Sequence, residues 1–407
     1  MATPGPDRVR CFSRVHDLMH FPVVRLNEFG TRMAMQRLPS LGSDCIGEAP
    51  SGIQPGETVR IFADDKRFIG IGYFNTLSAI PLRILSFDDR YPDKRFWLET
   101  IKNALDFRYR FYSADESFRV VYGDADYIPG LIIDKFGSCL SVQITTAGIE
   151  LHADTILDSL KTIFEPSGIM LACDSLPRKK EGLNLFRRVA YGTIPKPYYA
   201  RIDGIDHAID FFDGHKTGFF LDHRDNRAYA AGFCTKKRVL DVFCFSGAFG
   251  IRAGLHDAEQ ITCIDVFEPG LTMGKLTADR YNIGRRIEFI QAEAFSFLSQ
   301  HHDKWDIIFL DPPSFVRGGH RSRKNLGNYQ KIASLAIGCL APQGVLITSC
   351  CSFHVTPEDF KTITFNAFQQ HRRKSRIFHV GSQSFDHPIH PGIKGTDYLK
   401  CFFIAAD

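Results

Sequence analysis

Two adjacent cysteines end an apolar run in the C-terminal part of the chain. The run, Leu346–His354, reads L-I-T-S-C-C-S-F-H and predicts a strand that ends at Cys350 and Cys351. A thiol near helix N-termini and basic groups can have a lowered pKa, which makes it a competent nucleophile. Because neighbouring residues of a strand point to opposite faces, only one of the two thiols can face a cleft beside the strand.

Three carboxylates follow other predicted strands of the same region. Ligands of open α/β sheets bind at the carboxyl ends of the strands, so Asp265, Glu293 and Asp311 are candidate ligand contacts. Asp265 lies about 24 residues after Asp241, close to the spacing of an acid that binds ribose hydroxyls. Glu293 could accept a hydrogen bond from an adenine amino group. Asp311 opens the sequence D-P-P-S-F, whose two prolines impose a rigid, exposed turn.

A strand, a tight turn and the start of a helix are predicted in residues 238–254, which read R-V-L-D-V-F-C-F-S-G-A-F-G-I-R-A-G. Such a turn presents backbone N–H groups to a ligand. The dinucleotide fingerprint G-x-G-x-x-G is absent, since Phe243 and Phe245 stand where glycines would let a pyrophosphate approach. The predicted ligand is therefore a nucleoside without a diphosphate, and S-adenosylmethionine (SAM) fits this description.

The elements that must position these residues form a parallel, doubly wound sheet, because strands alternate with helical patterns from about residue 206. Its predicted strands are Val239–Phe243, Ile261–Asp265, Ile287–Gln291, Trp305–Leu310, Val345–Ser349, Ile377–Val380 and Tyr398–Ile404. Short alternating runs before about residue 88 predict a small barrel-like β domain. We therefore expect three domains, at 1–90 with a loose tail over 1–20, at 91–205 with an α+β fold, and at 206–407.

The composition predicts a cytoplasmic protein. Of its 407 residues, 44% are apolar and 24% are charged, and neither a membrane-length apolar run nor a hydrophobic signal core occurs. The 11 cysteines are scattered and include no C-x-x-C pair, so we expect reduced thiols and no metal site. A net charge of +4 does not by itself indicate a nucleic-acid partner, but the basic cluster Arg317–Lys324 directly follows the D-P-P turn.

Taken together, several segments resemble the RlmI-like SAM-dependent 23S ribosomal RNA cytosine-C5 methyltransferases. The resemblance rests on G-H-K-T-G-F-F-L-D-H-R-D-N-R at 214–227, D-V-F-C-F-S-G at 241–247, D-P-P-S-F at 311–315 and S-C-C-S at 349–352. It extends to the middle domain at 123–137 and to Y-L-K at 398–400. It implies an N-terminal PUA-like domain, a central α+β domain and a class I methyltransferase domain with a Rossmann-like sheet. It also implies 23S rRNA as the partner, without a membrane, and leaves open whether the protein is a homodimer.

The resemblance implies a role for each site residue. Asp265 would bind the ribose of SAM and Glu293 would lie near its adenine, while Cys351, which precedes a serine, would be the nucleophile and Asp311 would approach the base. The implied cofactor contacts are Phe220, His223, Arg224, Phe243, Ser246, Gly247, Asp265, Glu293, Ala294 and Asp311. The implied RNA contacts are Pro312, Ser314, Arg317, Arg321, Arg323 and Lys324.

The chain departs from the family pattern at several positions. His223 stands where the family usually has glutamine, and Cys350 doubles the cysteine, which leaves the choice of nucleophile open between Cys350 and Cys351. Residues 25–50 lack the sequence pattern that is usual near the start of the family's PUA domain. Ser314 follows the D-P-P turn where the two-cysteine RNA methyltransferases have a cysteine, so a single-thiol mechanism is implied.

Cytosine C5 is too weak a nucleophile to take a methyl group unaided, and addition of a thiolate to C6 activates it. The base that removes the C5 proton cannot be assigned from the sequence, although His354 is a candidate. The alternatives are an rRNA guanine-N methyltransferase, which needs no thiol at the fifth strand, and a non-catalytic RNA-binding protein. A small-molecule methyltransferase would have no use for the two N-terminal domains.

Overall fold

The computed structural model describes residues 21–214, 216–301, 303–316 and 323–407. The tail predicted at 1–20 lies outside the described residues. In that part of the chain, no helix is both long enough and apolar enough to cross a membrane.

The N-terminal segment forms a six-stranded sheet of order β2-β6-β5-β4-β1-β3. Its elements are β1 (Val23–Leu26), α1 (Glu28–Met35), β2 (Ser40–Leu41), β3 (Ile46–Glu48), β4 (Glu57–Phe62), β5 (Phe68–Phe74) and β6 (Leu82–Ser86). β4 and β5 form an antiparallel hairpin, with Glu57 opposite Phe74 at its open end. Alternate residues of β4 are fully buried, as expected for a strand with one face on a core.

The middle segment forms a second sheet, of order β11-β10-β9-β8-β7. Its elements are α2 (Lys94–Arg108), β7 (Phe118–Tyr122), β8 (Leu131–Phe136), β9 (Cys139–Ile144), α3 (Ala147–Leu151), α4 (Ala153–Phe164), β10 (Gly168–Cys173), α5 (Leu176–Lys180) and β11 (Phe186–Gly192). A hairpin of β12 (Tyr198–Ile202) and β13 (Ile205–Ile209) follows. The boundary predicted at residue 205 falls within this hairpin, and the domain limits stay a prediction.

The C-terminal segment contains the seven-stranded sheet that the sequence predicts. Its elements are α6 (Arg224–Ala231), β14 (Arg238–Val242), α7 (Ala248–Leu255), β15 (Gln260–Asp265), α8 (Glu268–Arg280), β16 (Ile287–Gln291), α9 (Ala294–Gln300), β17 (Trp305–Leu310), α10 (Arg323–Cys339), β18 (Leu340–Cys350), α11 (Pro357–Gln370), β19 (Ser375–Gly381) and β20 (Lys400–Ala406). The strand order is β16-β15-β14-β17-β18-β20-β19, and β20 is antiparallel to both of its neighbours.

Both faces of this sheet are covered by helices, which explains why its strands are continuous apolar runs. On one face Leu240, Ile308 and Leu346 pack with residues of α9, α10 and α11. On the other face Val239 and Ile307 pack with residues of α7 and α8. The strand order reverses between β14 and β17, so the carboxyl ends of these strands flank the crevice where ligands bind in such sheets.

Candidate active site

The turn between β14 and α7 has a strained backbone. Phe243 and Phe245 adopt φ angles of 61° and 52°, and Gly247 follows with φ of 67°. Phenylalanine rarely occupies this left-handed region, and each such residue costs on the order of 1–3 kcal/mol. The Phe245 N–H donates to Asp265 Oδ2 at 2.8 Å and the Gly247 N–H donates to the Cys244 carbonyl at 2.7 Å. These bonds hold the turn in the conformation that faces the crevice.

The two acids predicted to contact the ribose and the adenine of SAM, Asp265 and Glu293, both accept hydrogen bonds from backbone N–H groups at the sheet edge. Asp265 accepts from the Phe245 and Phe267 N–H groups, through its two oxygens. Glu293 is the N-cap of α9 and accepts from the Phe295 and Ser296 N–H groups at 3.1 and 2.8 Å. Carboxylate oxygens have further lone pairs, so either acid can also accept from a ligand. Ala294, the next predicted contact, is buried at the start of α9.

The segment 214–227 packs against the β14–α7 turn. The Phe220 ring meets the Phe245 ring edge-on, with centroids 5.1 Å apart. Phe245 in turn stacks on Phe267 at 5.6 Å. A small cavity lies between the two segments, lined among others by Gly218, Phe245, Ser246 and Phe267. The structure thus places the predicted contact Ser246 in the cavity wall and the predicted contact Phe220 against Phe245, which also lines it.

Buried polar atoms in the β14–α7 turn and in segment 214–227 fit a polar cofactor. Among the described residues, Ser246 Oγ, Thr217 Oγ1 and Asp222 Oδ1 are buried and have no hydrogen-bond partner. Unpaired buried polar atoms are costly, so their presence in neighbouring segments favours a ligand that supplies the partners. No group of His, Cys, Asp and Glu in the described residues could hold a metal ion.

Asp311 lies between two hydrogen-bond donors. Ser349 Oγ donates to Asp311 Oδ1, and His223 Nε2 lies 3.4 Å from Asp311 Oδ2. The Asp311 side chain remains 31% exposed, whereas His223 is buried. Sequence analysis assigned Ser349 no role, although it lies two residues before Cys351 and alternation along an extended chain places the two side chains on the same side.

The side chains of Cys350 and Cys351 lie in different environments. Cys350 is fully buried in the core formed with α9, α10 and α11. Cys351 is partly exposed, and its Sγ lies 3.9 Å from the Pro312 carbonyl oxygen, next to Asp311. The expected lowering of the thiol pKa is wrong for the protein alone. Burial, followed by the charge of Asp311, raises the pKa of Cys351 to about 12, and Lys216 opposes this only in part.

Arg224 does not join the residues at the crevice. Its guanidinium pairs with Glu116 at 3.2 Å and Asp203 at 3.1 Å, and lies over the Tyr112 ring. It also donates to the Ser117 carbonyl. These contacts join Arg224 to the middle domain. Because its guanidinium is already paired with two carboxylates, the structure gives Arg224 partners other than the predicted cofactor.

The predicted RNA contacts are described only in part. Ser314 Oγ donates to the Val316 carbonyl at 2.9 Å, which tightens the turn after Asp311. Arg317 and Arg321 lie outside the described residues. Arg323 and Lys324 begin α10, and only their backbone is described. His354, the candidate base, stacks on Phe353 with ring centroids 3.9 Å apart.

Two family models match the chain. One, described as a PUA-like domain, matches residues 24–87, and one described as an S-adenosylmethionine-dependent methyltransferase matches residues 198–385. A solved structure of a candidate methyltransferase complexed with SAH superposes with a TM-score of 0.81 at 19% identity, covering 94% of this chain and 99% of that one. The predicted fold class, with its PUA-like domain and class I methyltransferase domain, and the predicted cofactor SAM are therefore confirmed.

Relatives match over nearly the whole chain. The ribosomal RNA large subunit methyltransferase I of Aeromonas salmonicida is 32% identical over 378 residues, which cover 91% of this chain and 94% of the relative. The enzyme of the same name from Tolumonas auensis is 30% identical over 392 residues, covering 94% and 99%. The chain is a SAM-dependent methyltransferase and belongs to the ribosomal RNA large subunit methyltransferase I family.

Proposed function

We propose that the protein methylates C5 of a cytosine in large-subunit ribosomal RNA, with Cys351 as the covalent nucleophile. The observation that carries this proposal is the pairing of a partly exposed thiol with a carboxylate at neighbouring strand ends. Cys351 Sγ contacts the Pro312 carbonyl, and Asp311 immediately precedes that proline. The relatives are named as large-subunit rRNA methyltransferases, which supports the substrate class.

The chemistry needs both groups. When the Cys351 thiolate adds to C6 of cytosine, its electron pair forms the S–C6 bond and negative charge develops toward C5 and N3. Asp311, partly exposed beside the thiol, is suited to orient the base by accepting a hydrogen bond from its exocyclic amine. SAM, when bound, supplies the methyl group that C5 takes. The C5 proton must then leave before the thiol is released.

The target cytosine must reach a crevice at the sheet edge, so we expect it to be single-stranded or flipped out of its stack. We propose that the basic segment Arg317–Lys324, which follows the D-P-P turn, holds the RNA backbone beside it. The reaction would take place in the cytoplasm, and a homodimer remains a prediction.

The main competing function is guanine-N methylation. A class I fold supports many methyl acceptors and does not select the base. The partly exposed position of Cys351 beside Asp311 favours cytosine, because methyl transfer to a guanine nitrogen does not need a thiol. A purely RNA-binding role is disfavoured, because the unpaired polar atoms of Thr217 and Ser246 match the needs of a cofactor.

The test is methyl transfer from labelled SAM to unmethylated 23S rRNA, with nucleoside analysis, for wild type, Cys351→Ala and Cys350→Ala. We expect 5-methylcytidine from wild type, none from Cys351→Ala, and retained activity in Cys350→Ala, the matched control for loss of a thiol. If both variants stay active, or the product is a methylguanosine, the cytosine mechanism is wrong. The same assay over a range of salt should show KM for RNA rising with salt if phosphate contacts hold the RNA.

A further inference from the structure

The His223 imidazole is buried next to the Asp311 carboxylate. Its Nε2 faces Asp311 Oδ2 at 3.4 Å, and its Nδ1 lies 3.1 Å from Asn226 Nδ2. The ring packs edge-on against Phe249, with centroids 5.5 Å apart. His223 is therefore fixed on three sides, and only one of these contacts involves a group at the reaction site.

The partner of Asn226 decides which nitrogen of His223 carries hydrogen. Asn226 Nδ2 also donates to the Ser382 carbonyl oxygen at 3.0 Å. A carbonyl cannot donate, so this bond fixes the amide with its NH₂ group toward both Ser382 and His223. The His223 Nδ1 must then accept. In neutral His223 the hydrogen consequently sits on Nε2 and points at Asp311.

The charges around His223 raise its pKa. Burial lowers the pKa of His223, but Asp311 and Asp222 outweigh burial and the opposing charge of Arg227, so the net shift is upward. The imidazolium also carries a hydrogen on Nε2. Either protonation state can therefore present Nε2–H to Asp311, but the Nδ1–H of the imidazolium would face the Asn226 NH₂ group, so the contact with Asn226 favours the neutral ring with its hydrogen on Nε2.

We propose that His223 is a positioning residue whose Nε2–H, fixed in direction by Asn226, holds the Asp311 carboxylate in the orientation that meets the target base. This rests on the proposed function. With Ser349 donating to Oδ1 and His223 Nε2 at 3.4 Å from Oδ2, each oxygen keeps lone pairs that can accept from a base. Cytosine offers an exocyclic amine at position 4, where uracil has a carbonyl oxygen. The arrangement thus favours cytosine over uracil.

The test uses Asn226→Asp and the pH profile of kcat. An aspartate at 226 can only accept, so neutral His223 would carry its hydrogen on Nδ1 and turn a lone pair toward Asp311. Only the imidazolium, which carries a hydrogen on each ring nitrogen, can donate both to Asp311 and to the carboxylate introduced at position 226. Activity of Asn226→Asp should therefore be near that of wild type below the pKa of His223 and fall about 100-fold as pH rises through it, a loss typical of a misplaced catalytic group. Wild type should lack this loss.

Two further variants keep the inference falsifiable if Asn226→Asp folds poorly. His223→Gln retains a donor but cannot titrate, so it should show no added pH dependence and should exceed His223→Ala in kcat. SAM affinity and thermal unfolding check that the variants are intact. The inference is overturned if the Asn226→Asp profile parallels that of wild type, or if His223→Ala keeps full kcat. The nucleoside product of wild type tests the proposed function separately, because the pH profiles compare variants whatever that product is.

Discussion

The Cys351 thiol is poorly reactive in the protein without its ligands. Burial removes water that would stabilise a thiolate, and the neighbouring Asp311 carboxylate repels it, so the pKa rises to about 12. Lys216 is the nearby positive group that opposes these effects. The thiol is thus protected from unwanted chemistry, and its activation must accompany binding of the cationic cofactor and the base.

We predict that Cys351 reacts slowly with iodoacetamide and that its rate rises about tenfold per pH unit from pH 7 to 9.5. A pKa of about 12 leaves on the order of 10⁻⁴ of the thiol ionised at pH 8, and only the thiolate reacts. Asp311→Asn should speed the reaction by removing the repelling charge. Peptide mass spectrometry gives the rate at each site. A rate that levels off near pH 9, as for an ordinary thiol, would contradict the raised pKa.

Sequence reasoning located the acids and the thiol because parallel strands end at one edge of a sheet. It could not predict that His223 and Asn226 position Asp311. Asn226 is oriented by the carbonyl of Ser382, which is 156 positions away in the chain. It also misjudged the pKa of Cys351, because the sign of the shift depends on burial and on the nearest charge, and neither follows from residue order.

At the scale of elements, Asp241 ties the end of β14 to the start of α7. Its Oδ2 accepts the Gly250 N–H at 3.0 Å, and the side chain is almost fully buried. Burial raises the pKa of Asp241 to about 7, and the charges of Asp311 and Asp265 add to this. The Gly250 N–H favours the ionised carboxylate, but burial outweighs it, so the folded protein is less stable when Asp241 is ionised.

We predict that Asp241→Asn removes a pH-dependent part of stability. Because the folded pKa lies above the unfolded value, the stabilisation is complete below about pH 4 and is lost as pH rises through about 7. Relative to wild type, the free energy of unfolding of Asp241→Asn should thus improve by about 3 kcal/mol between pH 5 and pH 8.5. Urea unfolding at both pH values measures this. An equal difference at the two pH values would mean that Asp241 does not titrate in this range.

The strands of the C-terminal sheet agree with the sequence to within a few residues because both faces are buried and apolar runs leave little choice. The exception is β18, which begins at Leu340 rather than Val345. The exposed residues Pro342 and Gln343 interrupt the apolar pattern before Val345, and the pairing of the buried Leu340 with Trp305 extends the strand. Long-range pairing of this kind overrides local pattern.

At the scale of the whole molecule, buried ion pairs join separately packed segments. Arg224 at the start of α6 pairs with Glu116, which precedes β7 of the middle sheet, and with Asp203 in the β12–β13 hairpin. Glu181 joins the middle domain to Arg83 of the N-terminal sheet at 3.4 Å. The sequence predicted three domains but not these contacts, because charge pairing between distant segments leaves no periodic signal.

We predict that Arg224→Ala destabilises the protein without a matching loss of SAM binding. Removing one partner of a buried ion pair leaves uncompensated charges at Glu116 and Asp203 and typically costs about 3–5 kcal/mol. Arg280→Ala is the matched control, since Arg280 pairs with Asp206 at the surface and such pairs contribute at most about 1 kcal/mol. Urea unfolding and calorimetric titration with SAM are to be compared at a temperature where both variants are folded. If SAM affinity instead falls tenfold while the free energy of unfolding stays unchanged, Arg224 binds the cofactor after all, and its pairing with the middle domain is not what the protein depends on.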